Sequence, residues 1–540
     1  MITEQTGTVF EAFADSAARW PERPLVNVLD ETAGIYGIDA GEITYSEAAT
    51  MVDALSARLR DAGYAKGQRV MLLVENRPDY FIWWLALNAL GLSVVPVNPD
   101  LRAAELAYMV GHAEPALAVA IPARAADLRE AAQAAGVVMP VIAPDGELPA
   151  PRAGAAIALR EGPERDAEAA LLYTSGTTGQ PKGCILTNTY FLHMGRWYDT
   201  VGGLCALTHD GERMITPLPL FHMNAMATSF MGMVAVGGCL TVLDRFHPRT
   251  WWDSVRASRA TCLHYLGVMP SMLMGAKPRA DDRIDHVRFG FGAGVDPKLH
   301  APFEDRFGFP LVEGWAMTET GAGGIVTNNL LPRRVGESCL GRFAPDVQAR
   351  IVDDSGADTD GPGELLVRQA GDDPRYGFFA GYFKNEAATN EAWDGGWFHT
   401  GDIVRRDPDG SVFFVDRKKN VIRRSGENIA AVEVESVLAR HPAIAAVAVA
   451  PVPDAIRGDE VFALIVPKEE GSPDLARAIT EWCLGQLAYY KAPGYVAFVD
   501  ALPLTATQKI QRATLKAQAA DLLEDPATVD LREMKKRTAA

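Results

Sequence analysis

From Tyr45 to Ile121 the chain alternates helical stretches with short apolar runs, and that alternation leaves few folds open. Tyr45 to Gly63 carries Ala49, Val52, Leu55 and Leu59 on one face, with Ser46 as the expected N-cap and Gly63 just past the end. Val70 to Val74 (VMLLV) is β-branched and uncharged, the composition of a buried parallel strand. A helix over about Pro78 to Leu90, a strand VVPV, a helix near Ala103 to Val110 and a strand LAVAI continue the pattern. It predicts a layered α/β domain whose ligands lie beyond the carboxyl ends of its strands. One run, Tyr80 to Val97, has 18 residues without a charge, the lower edge of spanning length. Asn88, Gly91, Ser93 and Pro96 interrupt it, so it reads as a buried helix, a turn and a strand rather than a membrane span.

A chain of 540 residues exceeds one ordinary core, and the pattern changes along it. Ala123 to Ala170, rich in Ala, Pro and Gly, reads as a surface connection leading into the strand LLYT. VQARIVDD, GELLVR and GSVFFVD alternate apolar and polar residues around turn signals, which predicts a β-rich subdomain between about Gly341 and Asp416. After Arg417 come a basic cluster, a helix near Ala431 to Arg440, strands AIAAVAVAPV and DEVFALIVP, and a helix near Pro473 to Leu487, together a compact α+β module. The expected division is a large domain over 1–416 and a small one over 417–540.

With 69 acidic and 52 basic residues the formal charge is −17, which argues against non-specific binding to nucleic acid or anionic membrane. A phosphate-bearing ligand must then meet a local basic site. The six cysteines lack metal-ligand spacing and read as free thiols in a reducing compartment. The N-terminal MITEQTGTVFEAF has no basic-then-apolar leader pattern, so a cytoplasmic location is expected.

Tyr173 to Gly183 reads YTSGTTGQPKG. Its glycines and lysine stand in the wrong order for the G-x-x-x-x-G-K-[ST] nucleotide loop. Its backbone N–H groups, hydroxyls and one cation are nonetheless all donors suited to phosphate oxygens. Farther on stand PLPLFHMNA (Pro217 to Ala225), GFGAGVD (Gly290 to Asp296), WAMTET (Trp315 to Thr320), HTGD (His399 to Asp402), VDRKKNVIRRSGENI (Val415 to Ile429) and LPLTATQKIQR (Leu502 to Arg512). In type and order these segments resemble those of the adenylate-forming superfamily of acyl-CoA synthetases, luciferases and adenylation domains. The resemblance spans roughly Phe10 to Lys516. Within the superfamily it points to the acyl-CoA ligase branch, and the small-domain segments most resemble carnitine- and crotonobetaine-CoA ligases.

The resemblance implies the fold, a large layered α/β domain with a small β-rich subdomain followed by a mobile α+β domain, and it implies a role for each segment. Thr174, Ser175, Gly176, Thr177, Thr178, Gly179 and Lys182 would hold the β- and γ-phosphates of ATP. Gly292, Ala293 and Gly294 would lie beside adenine and the acyl group; Gly294 stands where relatives often carry Pro. Trp315 would offer a flat face to the adenine. Thr318 would meet the α-phosphate and Glu319 would bind Mg²⁺, a hard cation suited to a carboxylate. Taken alone, a Thr-Glu pair reads as a helix cap. Asp402 would accept from the ribose hydroxyls, assisted by Arg417. His222 would border the acyl site and gate the thiol tunnel. Lys419 would be the hinge, with Ser425 and Gly426 in the segment after it. Met223, Met226, Gly290, Phe291 and Gly321 would shape a roomy acyl pocket. Lys509 would contact both carboxylate and phosphate as the acyl–adenylate bond forms, a use of preorganised charge. Its neighbour Gln508 replaces the usual Gly.

The implied activity joins a carboxylic acid to AMP with release of pyrophosphate, then passes the acyl group to coenzyme A with release of AMP. Its co-substrates would be ATP, Mg²⁺ and coenzyme A. Loading of a carrier-protein thiol, luciferase-like oxidation and an inactive nucleotide-binding homologue remain as alternatives, and a homodimer is compatible with the resemblance.

Overall fold

The structure is a computed structural model that describes residues 2–152, 164–174, 180–417, 421–503 and 511–536. In one sheet, Arg69–Leu73 lies between Ser93–Pro96 and Leu117–Ala120, all parallel. Glu168–Thr174 continues the sheet parallel to Ser93–Pro96, and Lys182–Thr187 returns antiparallel to it. Buried Arg69 grips Glu168 through Nε and Nη2, both at 2.6 Å, and Ser93 donates to the same carboxylate at 2.7 Å. This charge-assisted fork ties three adjacent strands together below the Tyr173 loop.

A second sheet runs parallel through Cys239–Val242, Arg213–Thr216, Cys262–Leu266, Phe289–Ala293 and Leu311–Trp315. The segment expected as a β-rich subdomain does form antiparallel strands, from Cys339–Phe343 to Val412–Arg417. It is not a separate sheet, because Val326–Thr327 pairs with both Leu311–Trp315 and Cys339–Phe343 and makes the hydrogen bonding continuous. Its short strand Gly381–Tyr382 crosses to the first sheet and pairs with Lys182–Thr187.

Helices cover both sheets. The first predicted helix forms over Tyr45–Asp61, but Thr44, not Ser46, caps it: its hydroxyl accepts from the Glu47 N–H while the Glu47 carboxylate accepts from the Thr44 N–H. The charge-free run folds as the helix Pro78–Ala89, a turn at Gly91 and the strand Ser93–Pro96. Trp83 and Trp84 are fully buried in it, and among the described residues no helix is long and apolar enough to cross a membrane. The segment read as a surface connection contains a helix, Ala125–Ala134, whose Leu128, Ala131 and Ala132 are buried.

From Ile422 onward the chain builds its own core. Ile444–Asp454 and Gly458–Pro467 pair antiparallel, Tyr495–Phe498 joins parallel, and the helices Ala431–Leu438, Pro473–Leu484 and Arg512–Leu523 flank them. The architecture is therefore mixed α/β, a large N-terminal domain followed by a small one. All six cysteines are buried and free.

Candidate active site

A cavity of about 740 Å³ opens where the two parallel sheets meet the small domain. Five strands end on it: Pro96, Thr174, Leu266, Ala293 and Trp315 are each the last residue of a parallel strand, and each lines the cavity. This is the position expected of a ligand site in such sheets.

At one wall, the strand pair fixes Thr174 opposite Lys182. Glu319 reaches them from the turn after Leu311–Trp315, where the Thr320 hydroxyl accepts from the Met317 N–H at 2.9 Å. Glu319 is buried, and its Oε1 accepts from Tyr382 at 3.0 Å and from Thr174 at 3.4 Å. Lys182 Nζ lies 4.5 Å from the centre of the Tyr382 ring. No cation pairs with the Glu319 carboxylate among the described residues. A buried acid whose partners are neutral groups, the Thr174 and Tyr382 hydroxyls and the Cys184 thiol, suits a hard cation that brings its own waters and phosphate oxygens. Tyr382 was not found in the sequence, since its two-residue strand gives no periodic signal. Ser175 to Gly179, between Thr174 and Lys182, lie outside the described residues.

On the opposite wall, buried Trp315 donates its indole N–H to Asp402 Oδ2 at 2.7 Å. The strand register sets Asp402 across from Arg417, whose side chain is not among those described. Thr318, Gly292 and Ala293 also line the cavity. At Gly292 a Cβ would stand 2.2 Å from the Tyr265 carbonyl, so a side chain is excluded there. Gly294 adopts φ +78°, which the proline ring forbids, so the glycine is required here.

The third side comes from the small domain. Val421–Arg424 and Glu427–Ala430 form a hairpin whose two central residues, Ser425 (φ +51°) and Gly426 (φ +91°), both have positive φ. Its tip reaches the large domain: Glu427 lies 3.4 Å from His222 Nε2, and a Cβ on Gly426 would stand 2.4 Å from Leu266 Cδ1. Two further contacts, missed in the sequence, close the junction. Tyr490 accepts from Asn98 Nδ2 at 2.9 Å, and buried Lys491 donates to Glu105 at 2.6 Å and to Glu433 at 2.7 Å. Burial and the neighbouring Glu433 push the Glu105 carboxyl up, against the pull of Lys491.

Of the expected acyl-pocket residues, Met223 and Phe291 line the cavity, whereas Met226, Gly290 and Gly321 do not. Met226 is fully buried, with its sulfur 3.1 Å from the Tyr80 hydroxyl. A Cβ on Gly290 would meet Leu311 and Leu263, and one on Gly321 would meet Tyr190 at 2.4 Å. These glycines allow close packing between elements rather than room for substrate. Ser425 also lies off the cavity wall, beside Gly426 in the turn. Lys419, Gln508 and Lys509 lie outside the described residues.

The AMP-binding enzyme family model matches residues 13–383, and the AMP-binding enzyme C-terminal domain matches 433–509. A sulfoacetate–CoA ligase of Cupriavidus necator is 33% identical over 94% of this chain and 97% of its own. A crotonobetaine/carnitine–CoA ligase of Salmonella arizonae is 30% identical over 90% of this chain and 96% of its own. Among solved structures, a double mutant of o-succinylbenzoate CoA synthetase from Bacillus subtilis, bound to its product analogue, superposes with TM-score 0.78 at 24% identity, covering 93% of this chain and 97% of that one. The same synthetase in complex with AMP gives 0.61, covering 94% and 98%.

Proposed function

This chain belongs to the AMP-binding enzyme family and is an ATP-dependent acyl-CoA ligase using ATP, Mg²⁺ and coenzyme A, and we propose how its residues divide that work. The observation that carries the assignment is the buried Glu319 carboxylate, held by Thr174 and Tyr382 beside Lys182 and paired with no side-chain cation among the described residues. Glu319 would hold Mg²⁺, which supplies charge neutralisation on the phosphates. The strand-paired Thr174 and Lys182 bracket the β- and γ-phosphates, together with the loop Ser175 to Gly179. Thr318 meets the α-phosphate. Asp402, oriented by the Trp315 N–H and assisted by Arg417, accepts from the ribose, while Gly292 and Ala293 line the wall along which adenine and the acyl group would lie, with Gly294 following them off the cavity lining.

In the first half-reaction the carboxylate oxygen attacks the α-phosphorus and pyrophosphate leaves. Two anions converge there, and Lys509 lowers their repulsion. In the second, the coenzyme A sulfur attacks the acyl carbon and AMP leaves. The two halves need different groups at one carbon, so we divide the chain at 416/417, with a hinge at Lys419 beyond which the small domain turns. The arrangement described here suits the second half: the Ser425–Gly426 tip faces Leu266 and His222, and His222 gates the thiol path. The better superposition on the relative bound to a product analogue than on its AMP complex supports that reading. The net charge of −17 supports an enzyme acting on small molecules rather than on nucleic acid or anionic membrane, and we place it in the cytoplasm.

The test separates the halves. Acid-dependent pyrophosphate exchange measures adenylation, and thioester formation from supplied acyl-AMP measures transfer. Lys509→Ala should depress exchange by about 10²-fold or more while sparing transfer. Equal loss in both steps overturns its role, and exchange without any thioester to coenzyme A would place the acceptor on a carrier protein.

A further inference from the structure

Beneath the acyl end of the cavity lies a polar network that the adenylation and transfer steps do not use. His264, on the strand Cys262–Leu266, is fully buried. Its Nε2 is 2.8 Å from the Tyr198 hydroxyl, and its Nδ1 is 2.8 Å from Ser229 Oγ and 2.9 Å from Asn224 Oδ1. Burial holds this imidazole down at about 3, so it is neutral, with one N–H and one lone pair.

The partners decide which nitrogen carries the proton. Tyr198 is buried, and its hydroxyl meets only His264 among the described residues. If Nε2 carried the proton, that hydroxyl would have no acceptor, at a cost of about 1–3 kcal/mol. Tyr198 therefore donates to Nε2, and Nδ1–H donates to Asn224 Oδ1 and Ser229 Oγ. The serine hydroxyl in turn is placed to donate to the Asn224 carbonyl at 3.2 Å. This fixes the Asn224 amide: its oxygen faces the network, and its NH₂ edge has no partner among the described residues. Asn224 and Thr228 lie one turn apart on the π-helical segment Asn224–Phe230, and both line the cavity. Among the described residues the buried Thr228 hydroxyl meets only the Met194 sulfur, 3.5 Å away. Phe291, packed on His264, supplies the apolar side.

We propose that Asn224, oriented through His264, and Thr228 form a recognition site for an uncharged oxygen on the distal part of the acid, such as a keto, ether or hydroxyl group. The proposal rests on the ligase reading above and names the class of acid. The three elements that build this floor, Asn224–Phe230, Cys262–Leu266 and Phe289–Ala293, contain no Asp, Glu, Lys or Arg. A distal sulfonate or carboxylate would thus find no counter-charge from this floor, the cations of the cavity wall (Lys182, Arg423 and Lys491) standing on other elements. A plain alkyl chain would leave the amide NH₂ unpaired once water is expelled.

The test uses the full-length enzyme and pairs of medium-chain acids that differ only by an ether or keto oxygen in place of one distal methylene. A sulfonate-bearing acid is included, and AMP release with coenzyme A is followed. Wild-type enzyme should favour the oxygenated member of at least one pair by about tenfold or more in kcat/KM. Asn224→Leu should bring that ratio below about threefold, and Thr228→Val should lower it less. Equal use of every pair by the wild type overturns the assignment, as does a preference that survives Asn224→Leu or a sulfonated acid that outcompetes both members. The wild-type ratios decide the matter even if a variant fails to fold. No acid-dependent AMP release from any acid would instead overturn the ligase reading, and the floor assignment with it.

Discussion

Trp315 shows how a residue can be found for one reason and act for another. The sequence places it beside adenine as a flat apolar face, yet its geometry makes it the N–H donor to a fully buried carboxylate, 2.7 Å away. A hydrogen bond to a charged group is worth about 1.5–3 kcal/mol, so the indole nitrogen and the ring face separate by substitution. Trp315→Phe keeps a flat ring and removes the donor. Steady-state kinetics should then give a KM for ATP raised about tenfold and a KM for the acid within twofold. A variant with wild-type ATP dependence would return Trp315 to the role of an apolar wall. Gly294 makes a related point. The family resemblance marks it as a departure from Pro, but the reason, φ +78°, is a backbone angle that no residue type announces by itself.

Among the elements, those with a clear apolar pattern were legible. Tyr45–Asp61 follows from the spacing of its apolar face, whereas Pro78–Ala89 and the buried strands of the first sheet follow from continuous apolar runs and their flanking turn residues. Ala125–Ala134 was hidden because its inward face is mostly alanine, which gives little contrast against an Ala-rich surround. The hairpin around Ser425–Gly426 was legible as a motif but not as a contact, since its partner Leu266 lies far away in sequence. That contact yields a prediction. Gly426→Leu places a branched side chain where a Cβ alone would stand 2.4 Å from Leu266, and imposes positive φ on a bulky residue. The variant should be unable to seat the hairpin, so thioester formation from supplied acyl-AMP should fall by about 10²-fold. Acid-dependent pyrophosphate exchange should stay within a few-fold. Exchange falling as far as transfer would mean that the hairpin serves adenylation as well.

Across the whole molecule the two domains meet through a cluster that pairs one cation with two acids. Lys491 bridges Glu105 of the large domain and Glu433 of the small one, and Glu105 also accepts from the Ala488 N–H at 2.9 Å. No sequence rule foretells this junction, because it joins residues hundreds of positions apart and exists only where the domains dock. Removing the lysine leaves two buried carboxylates facing each other. Uncompensated buried charge typically costs about 3–5 kcal/mol, but here the molecule has an escape: rotating the small domain away returns Glu105 to water. The cost should therefore fall on the docked arrangement more than on either domain's fold. Lys491→Met should slow thioester transfer by about tenfold or more while leaving acid-dependent exchange within about threefold. Glu105→Gln, which keeps one carboxylate for the lysine, should be milder, and the double variant should be less impaired than the two losses combined, since both changes strike one interaction. Loss of both half-reactions together with a large drop in thermal midpoint would instead make the cluster a requirement of folding. Additive losses in the double variant would show that Lys491 and Glu105 act separately, and the junction would not be a latch.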